Sequence, residues 1–145
     1  MQVDFYYLTR DPAEKLVPVL AQKTLDGGQR MLLVSSFVGQ LEKLSAALWQ
    51  AGPISFLAHN LAGNQQDEMQ PILISANCEA ANGARYVALT DGEWRDEALT
   101  FDRAFFLFTV EQIDNARAAW RALSAKNDVT PRYWKQDGGR WVEGP

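Results

Sequence analysis

The stretch Val3-Asp4-Phe5-Tyr6-Tyr7-Leu8, then Asp11-Pro12-Ala13-Glu14, then Arg30-Met31-Leu32-Leu33-Val34-Ser35 decides the fold. The first segment is a compact apolar and aromatic run and reads as a strand. Asp11-Pro12-Ala13-Glu14 reads as a helix start, with Asp11 as cap, Pro12 at the first helical position and Glu14 closing a capping box. Ala13, Leu16, Val17, Leu20, Ala21 and Thr24 recur at helical spacing on one face. Pro18 interrupts that helix, and Asp26-Gly27-Gly28 closes it, because glycine adopts the left-handed conformation of a C-cap readily. Arg30 to Ser35 is a second buried strand. Ser35 or Ser36 then caps a second helix, with Leu41, Leu44 and Leu48 on its inner stripe. Strand, helix, strand, helix within about fifty residues is the pattern of βαβ units feeding a parallel sheet.

Downstream the pattern continues. Gly52-Pro53 stops the second helix just after Leu48-Trp49, and a short apolar run centred on Phe56 follows. Pro71 to Ser75 and Arg85 to Thr90 are further strands, separated by a turn over Asn77 to Gly83. Phe105-Phe106-Leu107-Phe108 is too continuous for a strand with one wet face, so it belongs in the middle of the sheet. Thr109-Val110-Glu111-Gln112 is a capping box opening a last helix, with Ile113, Ala116, Trp120 and Leu123 on one stripe. Asn127, Asp128 and Pro131 end it. Arg132 to Val142 reads as a hairpin around Asp137-Gly138-Gly139, with Trp134 and Trp141 flanking the turn. The expectation is one domain over residues 1–145, a three-layer α/β sandwich with a largely parallel central sheet.

Composition narrows the function. Eighteen acidic residues against fourteen basic ones leave a net charge of −4, which argues against a surface built mainly to hold phosphates. No apolar run approaches the ~20 residues of a membrane span, and Met1-Gln2-Val3-Asp4 lacks a basic n-region of a secretory signal. A single cysteine, Cys78, fits a reducing cytoplasm. No Gly-x-Gly-x-x-Gly follows the first strand, where Thr9-Arg10-Asp11-Pro12 stands, and Gly27-Gly28 follows a helix, so the phosphate-cradling loop is missing. His59, Asn60 and Cys78 are the residue types of thiol catalysis without its motif; a buried thiol and a hydrogen-bonded histidine read better. One His and one Cys do not complete a zinc shell, and Glu93, Asp96 and Glu97 lack calcium-loop spacing, so no metal or cofactor is expected.

Two aromatic features remain. Trp49 and Phe56 around the Gly52-Pro53 break are either core or an exposed patch for a protein partner. On the last helix, Arg117 and Arg121 lie one turn apart with Trp120 between them. Two guanidinium groups beside an aromatic face suit a carboxylate carried on an apolar side chain. The plainer reading is a solvated helix face with Asp114 pairing Arg117.

The order and spacing of these segments resemble the chi subunit of bacterial DNA polymerase III holoenzyme. The resembling residues are Arg30-Met31-Leu32-Leu33-Val34, Leu48-Trp49, Ser55-Phe56-Leu57-Ala58-His59-Asn60, Pro71-Ile72-Leu73-Ile74 and Ala116-Arg117 with Trp120-Arg121. The tail Tyr133-Trp134-Lys135-Gln136-Asp137-Gly138-Gly139-Arg140-Trp141 is similar to that of alphaproteobacterial members. The resemblance implies a Rossmann-like fold without a nucleotide site and no intrinsic enzymatic activity. It implies two partners, the psi subunit of the clamp loader (or another clamp-loader component) and the acidic C-terminal tail of single-stranded DNA-binding protein, and no sequence-specific DNA contact. The tail site falls on Arg117 and Trp120; the chemistry of such a tail then assigns Arg117 to the terminal carboxylate and Trp120, with Phe106 or Phe108, to the apolar side chain. Arg121 and Lys126 are then left for the acidic run, and Trp49 and Phe56 for the partner subunit. Ile113 stands where the family can supply a lysine, and the hairpin is longer and richer in tryptophan. The competing reading is a small α/β enzyme or nucleotide-binding protein with a degenerate site.

Overall fold

In the computed structural model, residues 1–50, 59–63, 67–137 and 140–144 are described. The elements run β1 (Gln2–Tyr7), α1 (Ala13–Asp26), β2 (Met31–Val34), α2 (Val38–Trp49), β3 (His59–Leu61) and β4 (Ile72–Ser75). They continue with β5 (Tyr86–Leu89), β6 (Arg103–Phe108), α3 (Ile113–Ser124), β7 (Thr130–Asp137) and β8 (Arg140–Glu143). Short 3-10 turns sit at Asp67–Met69, Asp96–Thr100 and Val110–Gln112. The strands form one sheet in the order β3-β4-β2-β5-β6-β1-β7-β8. Among the described residues every pairing is parallel except that of β7 with β8. This is the Rossmann-like α/β sandwich that the alternating strands and helices predict.

The continuous apolar strands are explained by a sheet covered on both faces. Phe106 and Phe108 of β6, with Val3 and Phe5 of β1, pack against Ala116, Ala119 and Leu123 of α3. Phe105 and Leu107 face the other way, onto the layer that holds α1 and α2. All six residues of the expected α1 stripe are its buried ones. That helix runs through Pro18 and ends as foreseen: Gly28 takes φ +77°, and its N–H and that of Gln29 reach back to the Leu25 and Thr24 carbonyls. β6 lies between β5 and β1, in the interior position its composition called for.

Four local expectations are corrected. Asp11 does not cap α1: Pro12 occupies the cap position in extended backbone with no side-chain cap bond. The Asp11 carboxylate instead accepts from Gln136 Nε2 at 3.2 Å and pairs Lys15 at 4.0 Å, so a partner 125 residues away displaces the local one. Neither serine caps α2, whose cap position is Phe37. The Ser35 hydroxyl accepts from the Phe37 N–H, while Ser36 donates both its N–H and its hydroxyl to Asp91. Pro131, read as a stop, is the second residue of β7 and lies opposite Val3, before β8 begins to pair at Trp134. The polar segment containing His59, to which the sequence assigns no strand, starts β3, a three-residue edge strand too short to carry its own period.

Candidate functional site

Helix α3 begins where β6 ends, and its start is held by the expected capping box: Gln112 Oε1 accepts from the Thr109 N–H at 3.0 Å. From there the helix crosses the sheet above β1 and β7, leaving a groove of about 400 Å³ along one side. Phe5, Phe108, Ile113 and Ala116 form its apolar floor, Trp120 and Tyr133 its aromatic walls, and Arg117 and Arg121 its charged rim. The aromatic rings meet edge to face. Trp120 lies 5.1 Å from Phe5 at 73° and 6.1 Å from Tyr133 at 85°, the arrangement in which ring edges meet ring faces favourably. Trp120 thus joins the core on one side and stays partly exposed on the other.

The rim is only weakly engaged within the chain. Arg117 meets Asp114 at 3.9 Å, the pairing expected of a solvated helix face, but both side chains are mostly exposed and such a pair holds weakly. Arg121 makes no ion pair among the described residues. Burial pushes the Tyr133 phenol above its ordinary value, Tyr7 adds to this, and the charge of Arg117 opposes it. A fork of donors at the mouth of an apolar slot suits an anionic group borne on an apolar side chain.

Of the six residues expected here, Arg117, Trp120, Arg121 and Phe108 line the groove. Phe106 does not; it is fully buried one layer down, against Phe5, Phe108 and Trp94. Lys126 does not line it either, being an exposed residue beyond the end of α3. Tyr133 was missed because the hairpin's tryptophans drew the reading. Alternation along β7 puts Tyr133 and Trp134 on opposite faces of the sheet, but only the pairing of β7 with β1 decides which face meets α3.

The second expected surface is only half in view. Trp49, at the end of α2, is 60% exposed and its ring lies 4.9 Å from that of His59. His59 is buried with Nε2 3.0 Å from Ser45 Oγ; Phe56 lies outside the described residues. Cys78 is half-buried, and burial pushes its thiol up despite the opposing pull of Arg95, which is the reverse of an activated thiolate. Glu93, Asp96 and Glu97 do not gather: Glu93 sits 3.8 Å from Arg95 and Asp96 accepts from Trp94 Nε1. Among the described residues no three His, Cys, Asp or Glu side chains converge as metal ligands.

Open parallel sheets bind ligands at the C-terminal ends of their strands. Here the Arg10 and Asp11 N–H groups after β1, where a phosphate would sit, both donate to Gln136 Oε1 at 3.1 and 3.3 Å. On the opposite face from α3, a cleft of about 320 Å³ runs past Tyr6, Trp134 and Trp141. Its arginine, Arg103, gives Nε and Nη2 to the fully buried Asp4 and lies over Phe105, so it serves the sheet. The Tyr6 phenol beside it is pushed up to about 12, chiefly by burial.

Fold and groove together define a Rossmann-like α/β protein whose apolar, arginine-rimmed slot lies on a helix face and whose first strand-to-helix turn is filled by its own side chain. The family described as DNA polymerase III chi subunit, HolC, matches residues 1–129 of the 145, and the chain belongs to that family. It is therefore an accessory subunit of DNA polymerase III with a role in DNA replication. A comparison with curated proteins finds no match.

Proposed function

We propose that this protein is a non-catalytic adaptor that links the polymerase III clamp loader to single-stranded DNA-binding protein by taking its acidic C-terminal tail into the α3 groove. The observation that carries this is the joining of an exposed, weakly paired arginine rim to an aromatic slot in a protein that is acidic overall. Such a tail ends in an apolar residue that bears the terminal carboxylate, preceded by acidic residues. Arg117 takes the carboxylate, Trp120 and Phe108 enclose the side chain, and Arg121 adds positive charge at the rim. The exposed Trp49 at the end of α2 offers a separate contact for psi or another clamp-loader component, on a different helix from the tail site. The filled turn after β1 weighs against the nucleotide-binding alternative. The adaptor works in the cytoplasm, where the replicase does.

A fluorescent acidic-tail peptide titrated against wild type and variants tests this reading. Arg117→Ala should cost about 2 kcal/mol or more of binding, as when a charge-assisted pair is lost from a partly desolvated site. Arg121→Ala should cost about 0.5 kcal/mol, as for a rim charge, and added salt should weaken the wild-type complex by screening. A wild type that ignores the peptide, or an Arg117→Ala variant that binds equally well, removes the assignment.

A further inference from the structure

Strand β7 lies beyond the residues that the family match covers, yet it forms one side of the groove. It pairs with β1 so that Tyr133 stands opposite Phe5 and Lys135 opposite Tyr7. Alternation sends both side chains to the α3 face, while Trp134 packs on the other. Tyr133 reaches Trp120 and Phe108. Tyr7 stacks on Phe108 at 5.2 Å and 15°, and Lys135 Nζ lies 6.0 Å from the centre of the Tyr7 ring. One aromatic surface thus leads from the slot through Phe108 and Tyr7 to an exposed ammonium group.

Both polar ends of this wall are available. The Tyr133 hydroxyl makes no hydrogen bond, and Lys135 no ion pair, among the described residues, and no described buried polar atom lacks a partner, so the phenol oxygen is open to water. Lys135 sits at the C-terminal ends of β1 and β6, the end at which α3 starts with Ile113. Lys126 follows the far end of α3, near Thr130, which pairs with Gln2 at the start of β1. The two lysines therefore mark opposite exits from one groove.

We propose that β7 is the second wall of the tail site: the Tyr133 hydroxyl shares the ligand's terminal carboxylate with Arg117, and Lys135 takes the acidic residues that precede it. The peptide then leaves over Tyr7, toward the C-terminal ends of the strands. This rests on the α3 groove being the tail site, and it adds the ligand's direction and two recognition groups to that reading. Arginine alone fixes a carboxylate in the plane of its fork; a phenol donor from across the groove adds a second hydrogen bond, which is stronger to a charged carboxylate than to a neutral amide carbonyl.

The test uses the full chain and two acidic peptides, one with a free C-terminal carboxylate and one with a C-terminal amide. Tyr133→Phe should weaken the carboxylate peptide about tenfold, the loss expected for a hydrogen bond to a charged group, and the weaker amide peptide distinctly less. Lys135→Gln should weaken the carboxylate peptide about threefold at low salt and less at high salt, as an exposed charge does. Lys126→Gln should weaken it less than Lys135→Gln. Tyr133→Phe binding like wild type, an equal loss for both peptides, or a larger effect at Lys126 than at Lys135 would overturn the proposal. If Arg117→Ala loses binding while the β7 variants do not, the α3 site stands and the β7 wall falls. If wild type binds neither peptide, both fall together.

Discussion

At the scale of single residues, the most heavily committed side chain outside the groove is Asp91, at the end of β5. Its side chain is fully buried and accepts from Arg95 twice, at 2.9 and 2.7 Å, from the Ser36 N–H and hydroxyl, and from the Glu93 N–H. Burial by itself would push its carboxyl up, but Arg95 and these donors outweigh burial and hold it below the ordinary carboxylate value. A lowered folded value means that the charged form stabilises the fold. That stability is complete above the unfolded value of about 4 and fades as pH falls through the lower folded one. Asp91→Ala should cost about 3–5 kcal/mol, because it strands Arg95 with little exposure. In urea melts, the gap between wild type and Asp91→Asn should be widest near neutrality and should narrow below pH 4. A gap that persists unchanged at low pH would mean that charge is not what Asp91 contributes.

At the scale of elements, the start of α3 depends on a glycine in another loop. Gly92 has φ +76°, and a Cβ built there would fall 2.2 Å from the Gln112 side chain. Gln112 is the residue whose amide closes the capping box at Thr109, and Asn115 Nδ2 adds a contact to the Gly92 carbonyl. The loop after β5 and the first turn of α3 are therefore fitted to one another. Gly92→Ala should destabilise by about 2 kcal/mol through left-handed strain and the displaced cap. Adding Gln112→Ala should recover part of that loss, since it removes the clash and leaves only the strain. Chemical denaturation of the two single variants and the double variant measures this coupling, and strict additivity would refute the contact. Because Ile113 and Arg117 follow directly, Gly92→Ala should also weaken peptide binding.

At the scale of the whole molecule, the hairpin of β7 and β8 does more than extend the sheet. β7 covers the edge of β1, Trp134 Nε1 donates to the buried Asp4, and Gln136 fills the turn before α1. Trp141 lies 5.2 Å from Tyr6, edge to face. A chain truncated to residues 1–129, the span the family match covers, should lose all of this at once. Its β1 edge would be bare, and an unpaired apolar edge invites association with other chains. Size-exclusion chromatography should show the truncated chain aggregated or unfolded and without peptide binding. A stable monomer that binds the peptide would show that the hairpin is dispensable.

What the sequence determined by itself is what local pattern encodes. The α1 stripe, the interior place of Phe105-Phe106-Leu107-Phe108, the Thr109–Gln112 capping box and the hairpin each rest on neighbours within a few residues, and burial period and turn chemistry are local properties. The missing phosphate loop was legible for the same reason, and so was the line of Arg117, Trp120 and Arg121, which one helical turn brings together. Tertiary structure decided everything that depended on a distant partner. Asp11 turned from cap to acceptor because Gln136 lies beside it, and Ser36 turned to Asp91 for a similar reason. Phe106 fell beneath the groove floor while Phe108 reached it. Tyr133 entered the groove because parallel pairing of β7 with β1 fixes which of its faces meets α3. No periodicity within residues 130–137 contains that register, since it belongs to the strand on which β7 lies.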